Sequence, residues 1–400
     1  MKRLIAFCLA CCVAVLPALS QDKEVVSAQT IESVRKGIEL MYNLDYAGAQ
    51  KIFDQIKADN PESPVGYGMT AINAFHHMLF ASRNLAVYAY GIPAPIDREV
   101  PASLSNTPEV KRFQDANRTL EEFCDKLLQK NPEDALALYF KSMSYENLTT
   151  QVMIYDRKWM RVKEYAKTAD KLSQKTLSLD PTLIDAKLSN ATIEYVVGSL
   201  NLVYRFALRV FFGLKGDKEA AVEKLREVGE KGIYRSTDAK VVLAYLEAWD
   251  DKGDPQVAVS ILSDLRKKHP RSFLYDVGLA TAYMDAAKDA KSAIRVYQEL
   301  LETMPSKAPG AYPGEIHFRI AKGYVRLRDY SLALEEFQKA LDAEKGAPET
   351  EPLAYYNMAR IYEERGEQNL AKDCYRHVAD YSGPTVWIED EIKRAGKKIR

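Results

Sequence analysis

The sequence predicts an all-α chain, organised as a right-handed α-α solenoid of helical hairpins. Three observations carry that reading. Alanine precedes proline by twelve residues at Ala49/Pro61, Ala169/Pro181, Ala258/Pro270 and Ala293/Pro305. Near the C-terminus a small residue, an aromatic, an alanine and a second aromatic recur in fixed order. No run of alternating apolar and polar residues stands out, so strands are not expected.

The clearest copy runs Ala321-x2-Tyr324-x8-Ala333-x3-Phe337-x2-Ala340, and the next runs Ala359-x2-Tyr362-x8-Ala371-x3-Tyr375-x2-Val378. Such spacing makes a hairpin. Ala321 lets the first helix press close to the second, Ala333 is the small contact on the second, and Tyr324 and Phe337 fill the space between. Arg328-Asp329-Tyr330 and Arg365-Gly366-Glu367 are the turns. Each phased proline stops a second helix and starts the next hairpin. A further copy, Trp249-x3-Gly253-Asp254-x3-Ala258-x3-Leu262-x7-Pro270, is followed by Ala280, Tyr283, Ala293, Tyr297 and Pro305. Near the N-terminus Gly37-x2-Leu40-x8-Ala49-x3-Phe53-x7-Pro61 keeps the same order.

These residues resemble the tetratricopeptide repeat (TPR) family, whose pattern is a small residue, an aromatic three later, an alanine nine later, then an aromatic and a closing proline. The resemblance covers about 30–62 and 239–382 and is partial over 110–232. Ala293 to Ala333 spans 40 residues and Ala333 to Ala371 spans 38, with the excess in the loops 306–314 and 344–352. Helices are expected near 30–43, 46–59, 64–83, 109–130, 134–150, 156–178, 183–213, 217–231, 237–251, 255–268, 272–286, 289–303, 314–327, 330–343, 352–365, 368–381 and 386–398. The chain then divides into a signal segment (1–20), a divergent helical region (21–232) with an irregular loop near 84–109, a C-terminal repeat array (233–384), and a capping helix with a basic tail (385–400). A last repeat needs a polar outer face, and Lys393, Arg394, Lys397, Lys398 and Arg400 supply one.

Export is predicted from the first twenty residues. Lys2 and Arg3 precede the apolar run Leu4 to Leu16, and Ala18-Leu19-Ser20 offers small residues for cleavage before Gln21. Cys8, Cys11 and Cys12 leave a lipidated cysteine as the rival. A periplasmic or secreted protein of a bacterial envelope is expected. Lys+Arg and Asp+Glu both number 56, so no basic face for nucleic acid is indicated. In a solenoid distant segments are not expected to touch, so Cys124 and Cys374 should stay unpaired.

No catalytic group, cofactor or metal is expected. The five histidines, His76, His77, His269, His317 and His377, form no ligand motif, and adjacent His76 and His77 diverge by about 100° on a helix. Glu335 and Glu336 read as solvated surface, with lysine nearby. Asn117-Arg-Thr, Asn147-Leu-Thr and Asn190-Ala-Thr match glycosylation sequons. The TPR resemblance implies a concave groove lined by first helices. It carries the groove-facing positions onto Phe318, Arg319, Lys322, Arg326, Tyr356, Asn357 and Arg360, where basic and aromatic groups suit a protein or peptide, an acidic one among the candidates. Lys322 and Asn357 match part of the carboxylate clamp of chaperone-binding members, whose full set is absent. The reading is a non-enzymatic interaction scaffold. Its alternative is a membrane-associated assembly factor docking through the apolar segment 195–214, in which Arg205 and Arg209 argue against a membrane span, or through a lipidated cysteine. A third is an enzyme near His76 and Trp159.

Overall fold

A computed structural model describes residues 26–81, 106–156, 158–199, 216–307, 313–343, 350–383 and 388–399. The signal segment, most of the 84–109 loop, residues 200–214 of the apolar segment, Trp387 and Arg400 lie outside the described residues.

Seventeen α-helices occur among the described residues. They pair as α1 (Ala28–Tyr42) with α2 (Tyr46–Asp59), α3 (Val65–Ala81) with α4 (Pro108–Lys130), and α5 (Ala135–Gln151) with α6 (Trp159–Leu179). Next come α7 (Lys187–Gly198) with α8 (Lys218–Lys231), α9 (Ser236–Trp249) with α10 (Pro255–Lys268), and α11 (Phe273–Thr281) with α12 (Ala290–Lys307). The last pairs are α13 (Pro313–Arg326) with α14 (Tyr330–Asp342) and α15 (Thr350–Glu364) with α16 (Gln368–Ala379), and α17 (Glu389–Lys398) ends the stack. Each described helix packs on the next described one in sequence, which is solenoid order.

The predicted small contacts are where the pattern put them. Ala49, Ala169, Ala258, Ala293, Ala333 and Ala371 are all buried, as are Phe53, Phe337 and Tyr375. The turns share a stereochemistry too. Five residues before the buried alanine, Leu44, Lys288, Arg328 and Gly366 have positive φ, at 66°, 57°, 59° and 78°. After three of them an aspartate caps the second helix: Asp45 accepts from Gly48 N–H at 2.8 Å, Asp289 from Ser292 N–H at 3.0 Å and Asp329 from Leu332 N–H at 3.2 Å. The left-handed residue ends one helix and the aspartate starts the next within two positions. Only Gly366 adopts that conformation without a β-carbon penalty of about 1–2 kcal/mol.

Polar pins set the register between hairpins. Asn73 of α3 donates to Tyr46 O of α2 at 3.0 Å. Ser144 of α5 accepts from Asn117 at 2.8 Å and donates to Glu121 at 2.7 Å, both on α4. Ser173 of α6 donates to Asn190 of α7 at 3.0 Å. Arg226 of α8 meets Glu247 of α9 at 3.0 Å, and Arg266 of α10 meets buried Asp276 of α11 at 2.6 Å. The three sequon asparagines, Asn117, Asn147 and Asn190, are all buried. They belong to the packing and are closed to a glycan in the folded chain.

The helix predicted over 183–213 begins instead as a 3-10 turn, Ile184–Ala186. That predicted over 272–286 relaxes into a π turn, Ala282–Ala286, and a second π turn, Val152–Asp156, follows α5. Both free cysteines are buried, in separate clusters: Cys124 with the first hairpins and Cys374 with the last. Yet distant segments do touch. Asn43 accepts from the backbone N–H of Arg271 at 2.9 Å, and Phe80 meets Phe273 ring to ring at 6.2 Å. Tyr234 and Tyr275 share one apolar cluster with Val34, Met41 and Phe53. The first hairpin has closed onto the fifth and sixth.

Two glycines make the packing testable. A β-carbon on Gly37 would stand 2.2 Å from the Phe53 ring, whereas one on Gly396 meets nothing within 4 Å. Gly37→Ala should lower the unfolding free energy by about 1–3 kcal/mol, and Gly396→Ala should raise it by about 0.5–1 kcal/mol. Urea midpoints moving in opposite directions are the expected result.

Candidate partner-binding groove and buried polar knot

The closure is built on charge. Asp185, in the 3-10 turn, accepts backbone N–H groups from Ile233 at 2.8 Å, Tyr234 at 3.0 Å and Arg235 at 2.8 Å. That grip fixes the loop before α9 and aims the buried Arg235 inward. Arg235 pairs with Asp238 through Nε and approaches Glu146 of α5 at 3.5 Å. Asp238 also accepts the Tyr42 hydroxyl from α1, and His76 Nε2 of α3 stands 3.2 Å from Oδ1. Burial by itself would raise the Asp238 pKa. The Arg235 charge and the His76 and Tyr42 contacts overcome that and hold its carboxyl well below the usual range.

Aromatic rings seal this knot. Tyr42 lies 5.2 Å from His76 and 5.4 Å from His269, and Tyr275 lies 5.5 Å from His269 on another side. Side chains from α1, α3, α5, α9 and α11 thus converge on one carboxylate and its surroundings. The arrangement joins helices. Its hydroxyl, Tyr42, has its acidity weakened by burial and by Asp238, the reverse of an activated nucleophile. His76 is enclosed here, while Trp159 is exposed at the start of α6. His77 points elsewhere, stacked on Tyr46 at 4.7 Å. Among the described residues no three His, Cys, Asp or Glu side chains are placed to hold a metal, and no helix is long and apolar enough to cross a membrane.

The groove positions lie on α13 and α15, and the structure divides their roles. Pro313 opens α13 at the first helical position, where a missing N–H costs nothing. Phe318 packs on Phe337 at 5.6 Å and Tyr356 on Tyr375 at 5.9 Å. Arg319 is tied to Glu315 at 2.7 Å along its own helix. Arg326 is tied to Met284 O and Asp285. Asn357 donates to Leu353 O, one turn back, at 2.7 Å. Glu336, expected to be solvated, is mostly covered and holds His317 at 2.8 Å and Lys339 at 2.8 Å.

Lys322 and Arg360 differ from the rest. Both are exposed, and neither makes a hydrogen bond or ion pair with a described residue. Surrounding protein nonetheless desolvates the Lys322 ammonium, and Arg326 and Arg360 repel it, so its pKa is lowered. Asp285 and Glu391 act against that shift. Glu391 comes from α17, which closes that end of the stack through Ala395, Ile392 and Ile399 and through Lys398 to Glu363 at 2.8 Å. One Glu391 oxygen is buried without a hydrogen-bond partner.

The knot escaped the sequence pattern because its members lie far apart in the chain, Tyr42 and Asp238 by 196 residues. The one local trace is Arg235 and Asp238, three apart at a helix start.

Comparison with known proteins places a family label on the C-terminal part alone. Residues 318–379 match the tetratricopeptide repeat family model. No curated protein matches the chain by sequence. Yeast Tom70 is 13% identical over 92% of this chain and 95% of its own, with a TM-score of 0.40. A human IFIT1 dimer with PPP-AAAA is 14% identical over 94% and 86%, at 0.39. A tetratricopeptide repeat protein from Parabacteroides merdae is 14% identical over 82% and 98%, at 0.31. At such scores these neighbours add nothing to the architecture read from the chain's own helices.

The knot makes stability depend on pH. His269 is fully buried, and burial with Lys268 and Lys240 nearby pushes its pKa down to about 3. The native ring is therefore neutral, while an unfolded histidine takes up a proton below about pH 6.5. Stability is lost as pH falls from about 6.5 towards 3, at up to about 1.4 kcal/mol per pH unit. From pH 7.5 to 5 the unfolding free energy should drop by about 2 kcal/mol. His269→Leu should flatten that slope, whatever its absolute stability; an unchanged slope would point to other groups.

Proposed function

We propose that this chain is an exported, non-enzymatic scaffold that docks an acidic protein or peptide segment on the wall formed by α13 and α15. Tetratricopeptide repeats generally bind proteins and typically act as non-enzymatic scaffolds. The supporting observation is the pair Lys322 and Arg360, cationic, exposed and without ion-pair partners among the described residues, beside neighbours that are already paired. Carboxylates of the partner take charge-assisted hydrogen bonds from these two. Phe318 and Tyr356, half-buried, add apolar area beside them. Docking is reversible and involves no bond chemistry. Export rests on the residues 1–20, with the partner then sought in the cell envelope.

Two measurements test this reading. In pull-downs from envelope extract, Lys322→Glu with Arg360→Glu should cut recovery of the partner at least about tenfold, because two attractions become repulsions. Unchanged recovery rejects the groove assignment. Glu391→Gln removes a carboxylate that competes for Lys322, so the same partner should bind about two- to fivefold more tightly. Export is checked separately, by sequencing the N-terminus of protein released by osmotic shock, with a start near Gln21 expected.

A further inference from the structure

The outer face of α6 carries a row that the repeat pattern does not explain. Trp159 opens the helix, and Lys163, Lys167, Lys171 and Lys175 follow at successive intervals of four residues. Each four-residue step advances about 40° around the helix, so the four lysines spread over about 120° of its surface, with Met160 near the middle of that arc and Trp159 about 40° beyond one edge. Trp159 is 52% exposed and its neighbour Met160 74% exposed, the largest exposures among the big apolar side chains described. Lys158, Arg161, Lys167, Lys171 and Lys175 are exposed as well.

The opposite face is committed. Ala169, Ser173 and Thr176 are buried against the neighbouring helices, which leaves the lysine arc on the outer side. Lys167 and Lys171 make no hydrogen bond or ion pair with a described residue. Lys175 reaches Pro132 O at 2.8 Å, leaving its charge unneutralised. Acids are few: Asp170 is engaged by Gln174 at 2.9 Å and by Asn190, and Glu164 is exposed. Between Lys158 and Lys175 six basic residues face two acidic ones, in a chain whose formal net charge is zero. Lys167, Lys171 and Lys175 thus stand exposed on the same helix as an exposed indole and thioether.

We propose that this face of α6 docks the protein peripherally on an anionic phospholipid surface. Trp159 and Met160 sit at headgroup level at one end, where an indole's apolar body and N–H both find partners. Lys167, Lys171 and Lys175 lie along the phosphates. Two apolar side chains at one helix end offer little area for a protein groove, but they suit shallow insertion beside a charged ridge. The surface is separate from the wall of α13 and α15, so it stands or falls independently of the acidic-partner reading.

The test is flotation of the purified protein with phosphatidylcholine vesicles containing about a third phosphatidylglycerol. Binding is expected at 0.1 M salt, weakening several-fold at about 0.5 M, and absent from pure phosphatidylcholine. Each lysine near an anionic surface is worth about fivefold. Lys167→Gln with Lys171→Gln should therefore lower partitioning about 25-fold. Trp159→Ala with Met160→Ala should lower it by about tenfold, with circular dichroism confirming that both variants keep their helices. Lys322→Glu with Arg360→Glu should leave vesicle binding unchanged. Binding that persists in both α6 variants overturns the proposal, as does the absence of vesicle binding. Capture of polyglutamate without vesicles would assign the ridge to an acidic protein and overturn it equally.

Discussion

One carboxylate organises the N-terminal two thirds of this molecule. Asp238 draws Arg235 from its own hairpin, Tyr42 from the first and His76 from the second, and Arg235 reaches on to Glu146 of the third. Asp185 makes this possible from outside, by holding the loop that presents Arg235. The cost of burying so many polar groups is offset only if each finds its partner. Removal of one member therefore strands the others. A plain solenoid unfolds repeat by repeat, because each repeat touches only its neighbours. Here the first hairpin also contacts the fifth and sixth, so residue 42 cannot complete its contacts until residues 235–275 are in place. Such long-range closure makes folding slower than the local hairpins alone would allow.

The hairpins themselves were legible in the sequence, and for a physical reason. Ala49, Ala258, Ala293, Ala333 and Ala371 sit where two helices approach closely, and close approach demands a small side chain at a fixed interval. A rule that recurs can be read from one chain. The turn signal was half legible: Asp45, Asp289 and Asp329 could be recognised as caps, but nothing in Leu44, Lys288 or Arg328 announces a left-handed backbone. The polar pins and the knot were not legible. Asn73, Ser144, Asn190 and Asp276 look like ordinary surface residues of amphipathic helices until a neighbouring hairpin covers them. Their burial is decided by superhelical geometry, which no local spacing encodes.

The groove shows how pairing sorts a family-derived residue set. Seven positions were carried over from the tetratricopeptide pattern. Contacts within the chain already engage Arg319, Arg326, Asn357, Phe318 and Tyr356. Two cations remain, on adjacent first helices. An ion pair inside the protein lowers what the same group offers a partner, so an uncompensated charge is a better guide to recognition than charge alone. The outer surface of α6 follows the same logic through Lys167 and Lys171, which make no ion pair with a described residue.

The buried sequons carry a practical consequence for making this protein. Oligosaccharyl transfer acts on a nascent chain, before Asn117, Asn147 and Asn190 are covered. In a eukaryotic secretory host a glycan on any of the three would have to be accommodated between packed helices. Asn117 and Asn190 also supply the bonds that join α4 to α5 and α6 to α7. A glycan at either would break that junction, whereas a host without the transferase leaves both intact.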